Sequence, residues 1–132
     1  MNRHESRRVA MQAVFTANQE PEASADEVMT TIVKTLELQE LPAYSKALIT
    51  GVIENRVELE ASLVAKLRSG WTLKRINPIV IAILEVALYE INHSDAVDAK
   101  VAVNEALNLC DEFADPKEKA FINGVLANFV KK

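Results

Sequence analysis

The sequence predicts an all-α bundle of six to seven helices in one domain spanning residues 1–132, and three observations carry that prediction. Apolar residues recur at three- and four-residue spacing along most of the chain, the repeat of a helix with one buried face. Helix-start signatures precede several of these stretches: Ser24 with Glu27, Asn77 with Pro78, and Asp115 with Pro116 and Glu118. Sustained two-residue alternation, the mark of a half-buried strand, is absent.

Taken in order, residues 6–18 place Val9, Ala10, Ala13, Val14 and Ala17 on one stripe, and Pro21 ends that helix. The Ser24–Glu27 capping box opens a second helix, expected from residue 25 to about residue 38. Pro42 suits the first turn of a third and longer helix, along which Leu48, Val52, Leu59, Leu63 and Leu67 share a side. Gly70 is its natural stop. Residues 71–76 make a short connection carrying the one tryptophan, Trp71. After Asn77-Pro78, the run through Ile83, Leu84, Leu88 and Ile91 is apolar on nearly every side, which predicts a helix buried at the centre. Residues 101–113 continue the period, and a last helix presents Phe121, Ile122, Val125, Leu126 and Phe129 to the core. Gly124 interrupts that helix; close helix–helix approach is the expected reason.

Composition narrows the function. Apolar residues make up 49% and charged residues 26%, with three Gly and four Pro, a packed globular profile rather than a disordered one. With one cysteine, Cys110, no disulfide forms within the chain, and its place on an apolar stripe predicts a buried hydrophobe rather than a nucleophile. No apolar run reaches the roughly 20 residues of a membrane span, and no signal-peptide core follows the charged N-terminus, so a cytoplasmic protein without membrane partners is expected. His4 and His93 lack metal-ligand spacing and read as surface histidines; no metal or cofactor is expected. Three scattered glycines build no phosphate loop, and the adjacent carboxylates Asp111 and Glu112 read as a solvated face, so no enzyme is expected.

The net charge of −4 argues against a nucleic-acid partner, but its distribution does not. Residues 20–40 hold six acidic side chains against Lys34, whereas residues 61–84 hold none against Lys66, Arg68, Lys74 and Arg75. A basic face steers a polyanion whatever the total charge. Arg3, Arg7 and Arg8 cluster near one helix end, and guanidinium forks suit phosphate oxygens. Phe15 lies two turns beyond Arg7, where an exposed ring would stack an unpaired base and a buried one would fill core.

Four blocks of sequence resemble one family. Residues 7–15, Arg-Arg-Val-Ala-Met-Gln-Ala-Val-Phe, resemble the opening Arg-x-x-Ala-x-Gln-x-Leu-aromatic signature of the NusB family of bacterial transcription antitermination factors, with Val14 at the leucine position. Trp71–Ile76 with Ile81–Leu84 and Ala87–Glu90 form the second block, Val101–Leu109 the third and Phe121–Leu126 the fourth, in family order and spacing over essentially the whole chain. The resemblance implies two small helical subdomains and binding of single-stranded boxA RNA in nascent ribosomal RNA transcripts. It further implies action together with NusE, a ribosomal small-subunit protein, in an antitermination complex with RNA polymerase. Carried over, the RNA contacts are Arg3, Arg7, Phe15 and Phe121, with Arg8 beside them, while Asn104 and Glu105 are expected at helix packing or a partner surface. Glu85 departs from the pattern, standing where Arg is common, and a carboxylate there would repel phosphate. Ala120 replaces a frequent Lys, whose charge Lys119 supplies.

A helical module that holds proteins without touching RNA is the alternative. A unit resembling this family also precedes the catalytic domain of certain RNA cytosine methyltransferases; residues 1–132 hold no cofactor-binding or catalytic-cysteine segment, so a free-standing enzyme is not expected. Apolar helix faces pack within a chain or against a second copy, so a monomer or homodimer is expected.

Overall fold

The computed structural model describes residues 1–67, 71–94 and 97–130, which form seven α-helices, two 3₁₀ turns and no strand. The helices are α1 (Arg3–Gln19), α2 (Ala25–Thr35), α3 (Ala43–Glu54), α4 (Arg56–Val64), α5 (Pro78–His93), α6 (Ala99–Phe113) and α7 (Lys119–Ala127). The 3₁₀ turns, Leu73–Arg75 and Pro116–Glu118, lead into α5 and α7. The all-α expectation holds; Gly70 and Arg68 lie outside the described residues.

Local chemistry sets most of the boundaries. The Asn2 side chain accepts the Glu5 N–H at 2.8 Å, so α1 starts at Arg3, three residues before the expected start at residue 6. Ser24 and Glu27 close the capping box in both directions, at 3.1 and 3.2 Å. α2 ends at Thr35 rather than near residue 38 because Glu37 turns left-handed (φ 53°) and Leu38 N–H returns to the Val33 carbonyl at 2.9 Å. That closure normally advertises itself with a glycine, and here none stands there.

The expected long third helix is two helices. At Asn55 (φ −108°, ψ 17°) the side-chain amide donates to the Gly51 carbonyl at 2.7 Å, beside the residue's own N–H on the same oxygen. This local bond competes with helix propagation, and the chain restarts at Arg56. The apolar stripe nevertheless survives the break, since Leu48, Val52, Leu59 and Leu63 are all buried.

α5 is the central element, as its all-round apolar surface demands. Ile83, Leu84 and Leu88 are fully enclosed, each worth about 1.5–3 kcal/mol of burial. α1, α2 and α3 pack as one group and α6 with α7 as another; both lie against α5, so the core is continuous. Cys110 is buried in that core, and desolvation pushes its thiol above the ordinary range. No described helix is long and apolar enough to cross a membrane.

Glu85 lies inside the bundle, fully enclosed, and does not face the surface where it would repel phosphate. Asn18 on α1 donates to Oε1 at 2.6 Å, while Oε2 has no partner among the described residues. Burial pushes its carboxyl from an ordinary 4.5 to about 7.

The glycines correct one expectation. Gly124 is exposed, and a methyl group there would meet nothing within 4 Å, so close helix approach does not explain it. Close approach occurs instead at Gly51, where a Cβ would overlap the Tyr89 ring at 2.1 Å. Both sit inside helices, where glycine costs about 1 kcal/mol relative to alanine.

Candidate nucleic-acid interface

The start of α1 gathers the N-terminal cations, but against carboxylates from distant helices. Arg7 is only 4% exposed, and its Nε donates to both oxygens of Glu90 on α5, at 2.9 and 3.0 Å. Its Nη1 stands 3.6 Å from Glu105 on α6. Tyr44, on α3, donates its hydroxyl to the same Glu90, and burial together with that carboxylate pushes the phenol's pKa up. Arg8 grips Glu112 through Nε and Nη2 at 3.1 and 2.6 Å. His4 bridges Glu105 and Glu112 at 2.5 and 2.9 Å, and the Glu105 hydrogen bond leads the causes that raise its pKa.

Several expectations change accordingly. Arg7 does not offer its fork to phosphate, because burying that charge requires the pairing it makes with Glu90. His4 is no ordinary surface histidine, whereas Glu112 lies on the exposed face expected of it and there takes part in an ion-pair network. Glu105 faces inward to His4 and Arg7; Asn104 is exposed. Arg3 remains exposed, without a carboxylate partner among the described residues, its guanidinium 4.5 Å from the centre of the Tyr44 ring. That stacking orients the cation while leaving its N–H groups to solvent.

The aromatic positions part company. Phe15 is half-buried and packs on the core, 12 residues or about 18 Å along α1 from Arg3. Phe121 is half-buried on α7 and stacks with Trp71, ring centres 6.3 Å apart and planes 30° from parallel. Trp71 itself is 47% exposed, unusual for so large an apolar ring. Arg75 and Lys117 line one cleft at this pair together with Glu118, and Lys66 lines a groove at the other. Lys119 pairs with Asp111 at 3.1 Å and keeps 41% of its side chain exposed.

Trp71, Lys66, Arg75 and Lys117 were not singled out as contacts from sequence. The available signal was the acid-free stretch from residue 61 to residue 84, which holds three of them. Among the described residues no group of three His, Cys, Asp or Glu is arranged to hold a metal ion. A ring pair with its tryptophan exposed and three cations against one carboxylate, Glu118, at its edges can stack flat apolar groups and attract anions beside them.

Comparison with known proteins gives one consistent result. A model of the NusB family matches residues 4–131. The transcription antitermination protein NusB of Lacticaseibacillus paracasei is 38% identical over 130 residues, covering 98% of this chain and 95% of that protein. The protein of the same name from Levilactobacillus brevis is 41% identical and covers 97% of this chain and 92% of its own. Among solved structures, T. maritima NusB aligns with a TM-score of 0.85 at 18% identity, over 100% of this chain and 92% of that one. A chain from the crystal structure of a plectonemic RNA supercoil aligns at 0.82 and 19% identity, over 97% and 94%. At these identities the structural likeness is one of fold.

Proposed function

The chain belongs to the NusB family, and from that premise we propose that it is a transcription antitermination factor that holds single-stranded boxA RNA jointly with NusE. It works in the cytoplasm as a single RNA-binding domain over residues 1–132, within the antitermination complex of RNA polymerase, by binding rather than by catalysis. The observation that carries the RNA-binding part is the stack of exposed Trp71 on half-buried Phe121, edged by Lys66, Arg75 and Lys117. Arg3 and Arg8 add phosphate contacts, Arg8 by exchanging Glu112 for a phosphate oxygen, and Lys119 does the same from Asp111. Arg7 acts as a positioning residue, fixing Tyr44 through Glu90 and so the ring under Arg3.

Fluorescence anisotropy with labelled boxA RNA, a scrambled control and added NusE tests this reading. Binding is expected to prefer boxA and to strengthen with NusE. With about six phosphate contacts, log affinity falls against log salt with a slope near −4. Affinity indifferent to both sequence and salt, with and without NusE, would overturn it.

A further inference from the structure

A cleft of about 310 Å³ opens where the end of α1 meets α4 and the start of α5. It is separate from the aromatic pair: Leu73 and Lys74 of the 3₁₀ turn line it, whereas Arg75 lines the cleft beside Trp71. Its polar lining is left without partners. Arg56 and Glu60 stand one turn apart on α4, a spacing at which opposite charges normally pair. Among the described residues, neither they nor Lys74 forms an ion pair. Arg56 Nε and Asn18 Oδ1 are buried and have no hydrogen-bond partner among those residues. The Asn18 amide nitrogen is committed to the enclosed Glu85 at 2.6 Å, so the oxygen is the free end of that side chain. Buried polar groups are nearly always paired, and a donor and an acceptor both left open at the edge of one cleft call for an occupant.

We propose that this cleft binds a free α-amino acid with an aliphatic side chain, its carboxylate between Arg56 and Lys74, its ammonium on Asn18 Oδ1 and Glu60, and its side chain against Leu73 and Ile81. Asn18 and Arg56 are half-buried, and rotation of their side chains toward the cleft brings the two unpaired atoms to the ligand. The occupant follows from the sum of the lining. A lone anion satisfies Arg56 and Lys74 but sets negative charge beside Glu60 and the Asn18 oxygen; a lone cation reverses the fault. A zwitterion answers both pairs with charge-assisted hydrogen bonds. The volume stands at the small end of ligand sites, which suits a single small molecule. The proposal does not depend on RNA binding.

The test is NMR titration of the full chain, without RNA, with L-leucine, with N-acetyl-L-leucine, which lacks the ammonium, and with L-leucinamide, which lacks the carboxylate. L-leucine is expected to shift the Asn18 side-chain amide and the Arg56 Nε–H saturably, with a Kd on the order of 1 mM or tighter. Each analogue binds at least about tenfold more weakly, the loss of one hydrogen-bonded charge. Arg56→Met costs L-leucine at least about tenfold and costs L-leucinamide nothing further. Glu60→Gln weakens L-leucine and spares N-acetyl-L-leucine. That selectivity separates binding from folding, because a misfolded variant loses every ligand alike. No saturable shift by roughly 10 mM L-leucine would mean that water alone fills the cleft, and the proposal fails. N-acetyl-L-leucine binding as well as L-leucine makes this an anion site, L-leucinamide doing so makes it a cation site, and either result overturns the proposal.

Discussion

Replacing Glu85 with glutamine makes a stabilised protein at alkaline pH and a nearly unchanged one at acid pH. The carboxyl is fully enclosed, receives one hydrogen bond from Asn18, and has an unpartnered Oε2; Glu60 nearby raises its pKa further and Arg56 lowers it. Its folded pKa of about 7 lies above the ordinary 4.5, so the folded state holds a proton that the unfolded chain releases. Stability is therefore full below about pH 4.5, declines as pH rises toward 7, and levels off above that. At about 1.4 kcal/mol per pH unit across that window, the total loss is on the order of 3 kcal/mol. The glutamine side chain would keep the shape and the acceptor for Asn18, place a donor where the neutral acid has its hydroxyl, and never ionise. Urea unfolding followed by circular dichroism at pH 5, 6, 7 and 8 measures the difference between Glu85→Gln and wild type. The gap is expected to widen from under about 1 kcal/mol at pH 5 to about 3 kcal/mol in favour of the variant at pH 8. Parallel pH profiles, or a variant less stable at pH 8, would refute a sealed and protonated Glu85.

Three further outcomes follow from the same geometry. The His4 imidazolium, stabilised first by Glu105, contributes stability that is complete below the ordinary 6.5 and is lost as pH rises through its higher folded value; a folded-state NMR titration of His4 placing its pKa below 6.5 would contradict the network. Arg7→Ala strands Glu90 in the interior and is expected to cost about 3–5 kcal/mol in urea unfolding, whereas Arg8→Ala, half in solvent, stays within about 1 kcal/mol. Equal effects would mean that Arg7 is not buried in solution. Gly51→Ala drives a methyl into the Tyr89 ring and is expected to destabilise by about 1–3 kcal/mol in thermal melts; an increase in Tm would show that α3 and α5 do not approach as closely as they do here.

Much of this architecture is local and therefore legible along the chain. The α1 stripe, the Ser24–Glu27 box, the Asn77–Pro78 start and the central place of α5 each arise from side chains within a turn or two of one another. The same is true of the family, whose signature blocks lie in contiguous stretches. The break at Asn55 escaped because the bond that stops the helix uses a residue type equally at home on an exposed helical face. The short α2 escaped because glutamate, not glycine, takes the left-handed position.

The candidate interface was legible only in part. Periodicity placed Arg3, Arg7 and Arg8 together at one helix end, where they lie, but said nothing of what each would meet. Glu90, which takes Arg7 out of solvent, stands 83 residues further on, and Glu112, which holds Arg8, stands 104 further on. Trp71 and Phe121 likewise meet from separate blocks. Helix formation is decided by neighbours within the turn, so the sequence alone determined the helices, the buried faces and the kinship. Whether a charge or a ring is free for RNA depends on which remote group arrives beside it, and that was decided only when α1, α5, α6 and α7 packed.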